Sequence, residues 1–168
     1  MEIIKTKEEV EKRIRELGSE ISAYYKDLPV TLLVVMNGGM FFAAKLAENM
    51  DIEDLFIDSI SASSYKHHSS TGNVELRSFM KLDAAGRHIL VLDEVLDTGR
   101  TIKKIKEKLA DLGALSVKFA VLVEKTIPRP DGVDHADWAG FLMEDRYLLG
   151  CGMDSDEKYR NLPYIAVF

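Results

Sequence analysis

The stretch Ile89-Leu90-Val91-Leu92-Asp93-Glu94-Val95-Leu96-Asp97-Thr98-Gly99-Arg100-Thr101 decides how the rest of the chain is read. Its apolar opening, Ile89 to Leu92, predicts a strand buried on both faces. The strand runs into two adjacent carboxylates, a third at Asp97, and a short hydroxyl-bearing turn with a glycine. A helix follows at once, with Ile102, Ile105, Leu109 and Leu112 on one face, lysines on the other, and Gly113 placed to end it. Strands that alternate with helices in this way argue for a parallel sheet, whose ligands bind outside the carboxyl ends of the strands.

Working outward, the same alternation continues on both sides. Thr6-Lys7-Glu8-Glu9 has the spacing of a capping box, and Val10, Ile14, Leu17 and Ile21 then recur at helical intervals. Pro29 ends that helix, Val30 to Met36 is a continuous β-branched apolar run, and Asn37-Gly38-Gly39 stops it. Met40 to Met50 reads as a helix, Leu55 to Ile60 as a second strand, and the polar segment Ser61 to Gly86 as a long loop or irregular hairpin. Val117 to Val123 is a further strand. Glu124 to Phe168 holds three of the four prolines and the one tryptophan, and lacks helical periodicity, which predicts short strands and turns. The expectation is one α/β domain over residues 1–168: a central, mostly parallel sheet flanked by helices, with a core of about residues 1–124. A small C-terminal hood of about 125–168, to which the N-terminus can contribute, completes it.

A chain of 168 residues suits one compact domain with a real core. Its 22 basic and 28 acidic residues give a net charge of −6, which argues against a nucleic-acid partner. No stretch approaches the roughly 18 apolar residues of a membrane-spanning helix. The single cysteine, Cys151, cannot form an intramolecular disulfide and is assigned to packing. Residues Met1 to Thr6 lack the basic-then-apolar opening of a secretory signal, so the expected compartment is the cytoplasm. His67-His68 lacks the ligand spacing of a defined metal site.

The chemistry concentrates after the Ile89 strand. Amides of Asp97 through Thr101 would converge at a helix N-terminus, where unpaired donors and the helix dipole favour a phosphate dianion, with Thr98 and Thr101 adding hydroxyls and Gly99 allowing close approach. Asp93 and Glu94 would lie near the strand end, where carboxylates accept hydrogen bonds from vicinal sugar hydroxyls or hold a hydrated Mg²⁺. Together these features read as sugar plus phosphate. The spacing alone leaves a plainer alternative open: Asp97 as the helix N-cap and the acidic pair as a solvated strand end.

At this point the chain resembles a known family. Val91 to Thr101 is similar to the phosphoribosyl pyrophosphate (PRPP) signature of type I phosphoribosyltransferases. Asp137-Trp138-Ala139-Gly140-Phe141, Tyr147-Leu148-Leu149-Gly150, Met153-Asp154 and Tyr159-Arg160-Asn161-Leu162-Pro163-Tyr164 resemble the C-terminal part of the hypoxanthine-guanine phosphoribosyltransferases. The resemblance implies that Asp93, Glu94, Asp97, Thr98, Gly99, Arg100 and Thr101 bind PRPP, with the turn as 5′-phosphate cradle. It implies that Asn37, Gly38, Gly39 and Arg160 meet pyrophosphate, and that Lys125, Tyr147, Leu148 and Asp154 form the purine pocket. Asp93, Glu94 and Asp154 would organise Mg²⁺, Ser64 and Tyr65 would belong to a closing lid, and Asp97 would take the purine's proton as catalytic base.

Two positions depart from the family pattern: Asn37 stands where some relatives carry a cation, and the acidic pair reads Asp-Glu where some have Glu-Asp. Taken without the resemblance, Tyr147 and Leu148 are equally ordinary residues of a short strand, Lys125 a solvent-facing side chain, Arg160 a surface ion pair, and the Ser61 to Gly86 segment a hydrophilic excursion. The function implied is purine salvage, with transfer of the phosphoribosyl group from PRPP to hypoxanthine and guanine. The alternative is a PRPP-sensing regulatory or RNA-binding relative with weak catalysis. The resemblance also implies a homodimer or homotetramer.

Overall fold

The computed structural model describes residues 1–64, 74–78 and 80–168. Strand β1 (Glu2–Lys5) leads into helix α1 (Lys7–Tyr25), β2 (Val30–Met36), α2 (Gly39–Ala47), β3 (Leu55–Ser64), β4 (Val74–Ser78) and β5 (His88–Leu96). Then come α3 (Arg100–Asp111), β6 (Ser116–Lys125), β7 (Trp138–Met143), β8 (Leu148–Leu149) and β9 (Ile165–Val167). The main sheet has the order β4-β3-β2-β5-β6-β7; its strands from β3 to β7 run parallel, and β4 pairs antiparallel at the edge. A second, antiparallel sheet has the order β1-β9-β8.

The continuous apolar runs have a simple cause. Successive side chains of a strand point to opposite faces, and here both faces are covered. Leu32, Val34, Leu90, Leu92, Ala120 and Leu122 join a core with Val10, Ile14, Leu17 and Ile21 of α1 and Phe42 of α2. The intervening Leu33, Val35, Ile89, Val91, Phe119 and Val121 pack with Ile102, Ile105 and Leu109 of α3. The α1 capping box is present as expected: the Thr6 hydroxyl accepts from the Glu9 amide at 3.3 Å, and the Glu9 carboxylate accepts from the Thr6 amide at 2.8 Å.

Some elements differ from the sequence reading, and others add detail to it. Leu112 lies beyond α3 as its capping residue and is 41% exposed, because Gly113, at φ 81°, turns the chain out of the helix. The N-terminus forms β1, paired with β9 at the far end of the chain. After β1 the chain returns to the small sheet only beyond Met143, because β7 extends the main sheet beside β6. Arg13 of α1 secures that edge strand by donating to the carbonyls of Gly140 at 3.0 Å and Ala139 at 3.1 Å. In the Ser61 to Gly86 segment the end of β3 pairs antiparallel with β4, in keeping with the irregular hairpin, one of the two forms expected there.

Asp58 on β3 pins the chain beyond β4. Its carboxylate accepts from the amides of Ser59 and Lys81 at 2.7 Å each and of Leu82 at 2.9 Å. Partial burial opposes its charge, but the amides of Leu82, Ser59 and Lys81 outweigh that and hold the carboxyl below its usual range. Asp58→Asn is therefore expected to lower stability by about 1–2 kcal/mol near neutral pH. A depressed folded pKa contributes stability that is complete above the unfolded value and fades as pH falls through the folded one. The difference between wild type and variant should thus close below about pH 4 in thermal unfolding measured across pH.

Candidate active site

The carboxyl ends of β2, β5 and β6 share one edge of the main sheet, and the chain leaves each of them through a segment singled out by sequence. After β5, Asp97 and Thr98 lead to Gly99 at φ 71°, which serves as the N-cap of α3 without a side-chain cap hydrogen bond. Asp97 is thus not the helix cap. Among the described residues, no protein acceptor pairs with the amides of Thr98, Gly99, Arg100 or Thr101. Gly99 is required twice over: its φ is unfavourable for a side chain, and a Cβ there would lie 2.8 Å from the backbone N and O of Val133. The turn therefore presents unpaired donors and the positive end of a helix dipole.

Asp93 and Glu94 lie within β5, one turn of chain before this cradle. The Asp93 carboxylate accepts from the Glu94 amide at 2.9 Å. Burial and the adjoining Glu94 carboxylate push the Asp93 carboxyl well above its ordinary value, while Arg160 pulls it down. Glu94 Oε2 is buried without a hydrogen-bond partner. These are the features of oxygen donors held for a ligand.

Gly38 sits at φ −64°, a conformation open to any residue, so its backbone does not explain the glycine. Space does: a Cβ would fall on the Glu94 carboxylate, and one on Gly39 would come within 2.8 Å of the Leu92 carbonyl. Gly152, at φ 104°, closes on Gly38 O and the Glu94 side chain from the opposite side. Asn37 is exposed, and the Met36–Asn37 peptide is cis.

Arg160 is 18% exposed and is ion-paired with Asp154 and Glu157. It donates from Nη1 to Gly152 O at 2.7 Å and from Nη2 to Glu157 Oε2 at 3.0 Å, its Nη2 forms an ion pair 2.8 Å from Asp154 Oδ1, and its buried Nε has no hydrogen-bond partner. The other oxygen of Asp154 accepts from the Glu157 amide at 2.9 Å. Cys151 is buried, which raises its thiol pKa to about 11, consistent with a packing role.

Lys125 closes β6. Its ammonium is 2.8 Å from Asp145 Oδ1 and 3.4 Å from Asp97 Oδ2, and its side chain is 12% exposed rather than solvent-facing. Burial opposes the charge, yet Asp145 and Asp97 together hold its pKa above the usual lysine value. Tyr147 precedes β8 with its ring exposed, and Leu148 is buried in β8 opposite Val167. β3 ends at Ser64; the expected lid residue Tyr65 lies outside the described residues, as does His67-His68. Three further residues had no sequence signal pointing to the site: Asp145, Glu124 and Arg129. Asp145 sits in an ordinary charged turn, Glu124 at the end of an apolar strand, and Arg129 between two prolines.

A helix N-terminus with open amides, two half-buried adjacent acids and a lysine at the same sheet edge fit a sugar-phosphate-binding α/β protein. The phosphoribosyl transferase domain family matches residues 1–155. A hypoxanthine-guanine-xanthine phosphoribosyltransferase of Tritrichomonas foetus is 34% identical over 165 residues, covering 98% of this chain and 90% of that protein. The hypoxanthine-guanine phosphoribosyltransferase of Bacillus subtilis is 32% identical over 166 residues, covering 98% of this chain and 91% of that protein. The crystal structure of a hypoxanthine phosphoribosyltransferase from Staphylococcus aureus matches with a TM-score of 0.92 at 29% identity, covering 99% of this chain and 90% of that one. The chain belongs to the phosphoribosyltransferases, and among them to the hypoxanthine-guanine phosphoribosyltransferase family.

Because Gly38 makes room for the Glu94 carboxylate, Gly38→Ala is expected to displace that group at a cost of about 1–3 kcal/mol in stability. It should also lower kcat/KM for PRPP by at least tenfold. Steady-state kinetics beside a thermal melt checks this, and unchanged kcat/KM would contradict the assigned crowding.

Proposed function

We propose that this protein is a purine-salvage enzyme that transfers the 5-phosphoribosyl group of PRPP to hypoxanthine and to guanine, forming IMP or GMP and releasing pyrophosphate. The observation that carries the reading is the Lys125 ammonium, set between Asp145 and Asp97 at the sheet edge where the open phosphate turn begins. One short stretch of surface thereby combines a purine donor, a candidate base and an anion cradle.

In this reading the amides of Thr98 to Thr101 take the 5′-phosphate, and Asp93 and Glu94 accept hydrogen bonds from the ribose hydroxyls. Asn37, Gly38, Gly39 and Arg160 receive the pyrophosphate. Lys125 donates to the 6-oxo group, which discriminates against a 6-amino purine because two donors would then meet. The Tyr147 ring stacks on the base and the Leu148 backbone pairs with its edge. As the purine nitrogen bonds to the anomeric carbon, the bond from that carbon to pyrophosphate oxygen breaks. The proton shed by the purine passes to the Asp97 carboxylate.

Among the described residues, no three His, Cys, Asp or Glu side chains converge as a ready-made metal cage. Mg²⁺ does not need one: it commonly takes one or two carboxylates and completes its shell with substrate phosphates and water. Asp93 and the unpartnered oxygen of Glu94 fit that demand, whereas Asp154 is engaged by Arg160 and the Glu157 amide. When bound with PRPP, the ion would neutralise charge on the departing pyrophosphate. No helix among the described residues is long and apolar enough to cross a membrane. A cytoplasmic location and assembly as a homodimer or homotetramer complete the proposal, and exposed apolar side chains such as Ile57 and Leu142 offer surface for a subunit contact.

A panel of hypoxanthine, guanine, xanthine and adenine with PRPP, with nucleotide products identified, tests the reading. Monophosphate should form with hypoxanthine and guanine, not with adenine; it should stop on chelation and return with Mg²⁺. No product from any base would overturn the proposal. Asp97→Asn should lower kcat by about 10²–10⁴ while leaving the KM for PRPP within a few-fold, and near-normal turnover would remove Asp97 from the base role.

A further inference from the structure

The segment between β6 and β7 lies directly behind the phosphate turn, and its centre is a buried arginine. Arg129 is 7% exposed. Its guanidinium donates from Nε to Asp97 O at 2.6 Å, from Nη2 to Leu96 O at 3.1 Å and to Lys125 O, and from Nη1 to Asp134 O at 2.8 Å and Ile127 O at 3.3 Å. The buried Glu124 carboxylate stands 3.9 Å from Nη1 and is itself held by the Ala136 amide at 3.0 Å and by His135 Nδ1 at 2.6 Å. The same segment touches the turn's backbone. The Val133 amide donates to Gly99 O at 3.4 Å, and a Cβ on Gly132 would strike Thr98 O.

The choice of carbonyls matters. The carbonyl of Leu96 and the amide of Asp97 belong to one peptide unit, and the carbonyl of Asp97 and the amide of Thr98 to the next. A guanidinium bonded to the oxygen side of these units fixes their planes and polarises their N–H groups toward the other side, because linked hydrogen bonds strengthen one another. A third bond holds Lys125, the residue that meets the purine. A planar fork suits this task, since its donors diverge in fixed directions that an ammonium cannot reproduce.

We infer that Arg129 is a positioning residue that holds the phosphate turn in its anion-binding form and ties it to Lys125. This inference rests on the turn being the 5′-phosphate site of the function proposed above. PRPP affinity then depends on a side chain that touches no substrate, and the two substrate sites share one support.

The test begins with the unmodified protein, labelled with ¹⁵N and titrated with ribose 5-phosphate. The Arg129 Nε–H resonance should shift along the same saturation curve as the amides of Thr98 and Gly99. A shift of the amides without any at Arg129 Nε would overturn the inference. No shift at either place would instead remove the phosphate assignment beneath it. Kinetics of Arg129→Lys should then show a KM for PRPP raised at least tenfold, with a smaller change in kcat per active site. Gly132→Ala, which keeps Arg129 but presses on Thr98 from behind, should move PRPP KM in the same direction. Folded variants with unchanged PRPP KM, having lost only thermal stability, would show that Arg129 supports the fold and not the site.

Discussion

A protein proposed to bind phosphate through its backbone has to keep amides unpaired, and the turn after β5 does so among the described residues. Unpaired donors are unfavourable when buried and are tolerated at the exposed start of a helix. The turn from Asp97 to Gly99 meets the condition by giving its carbonyls, not its amides, to the protein. Arg129 takes the Leu96 and Asp97 oxygens, while Lys103 and Val133 donate to Gly99 O. The amides of Thr98 to Thr101 keep no protein partner among the described residues, and the turn is anchored through its carbonyls.

Crowding at the sheet edge does comparable work on the sugar side. Glu94 is enclosed by Gly38 from the loop after β2 and by Gly152 from the segment leading to β9. Neither contact leaves room for a methyl group. The loop assigned to pyrophosphate, the acids assigned to ribose and the hood thus meet at one carboxylate, with a buried oxygen that no protein group satisfies. An unsatisfied buried polar atom calls for an explanation, and a ligand or its metal ion supplies one.

Much of this was legible from local pattern. The Thr6 capping box, the stripe Val10, Ile14, Leu17 and Ile21, and the three apolar central strands are set by residues close in sequence, and the structure places them as read. The turn at Asp97 to Thr101 was legible because a strand, acids, a glycine and a helix follow one another without a gap. Short strands were expected after Glu124, but their bounds and partners were not legible: β8 and β9 are two and three residues long, and β1 exists through pairing with β9 across the length of the chain. Gly38 was legible as part of a strand-end turn, but the space it leaves for the Glu94 carboxylate was not, because the two residues lie 56 positions apart in sequence. Arg129 carries no periodicity or motif, and its importance is visible only once five carbonyls converge on it.

A crystal structure of the protein with its nucleoside monophosphate product tests the central claim most directly. The account requires the 5′-phosphate oxygens to lie about 2.7–3.2 Å from amides within Thr98 to Thr101, with Arg129 still bound to the Leu96 and Asp97 carbonyls. A phosphate seated elsewhere, or a turn whose amides swing inward onto protein acceptors, would contradict it.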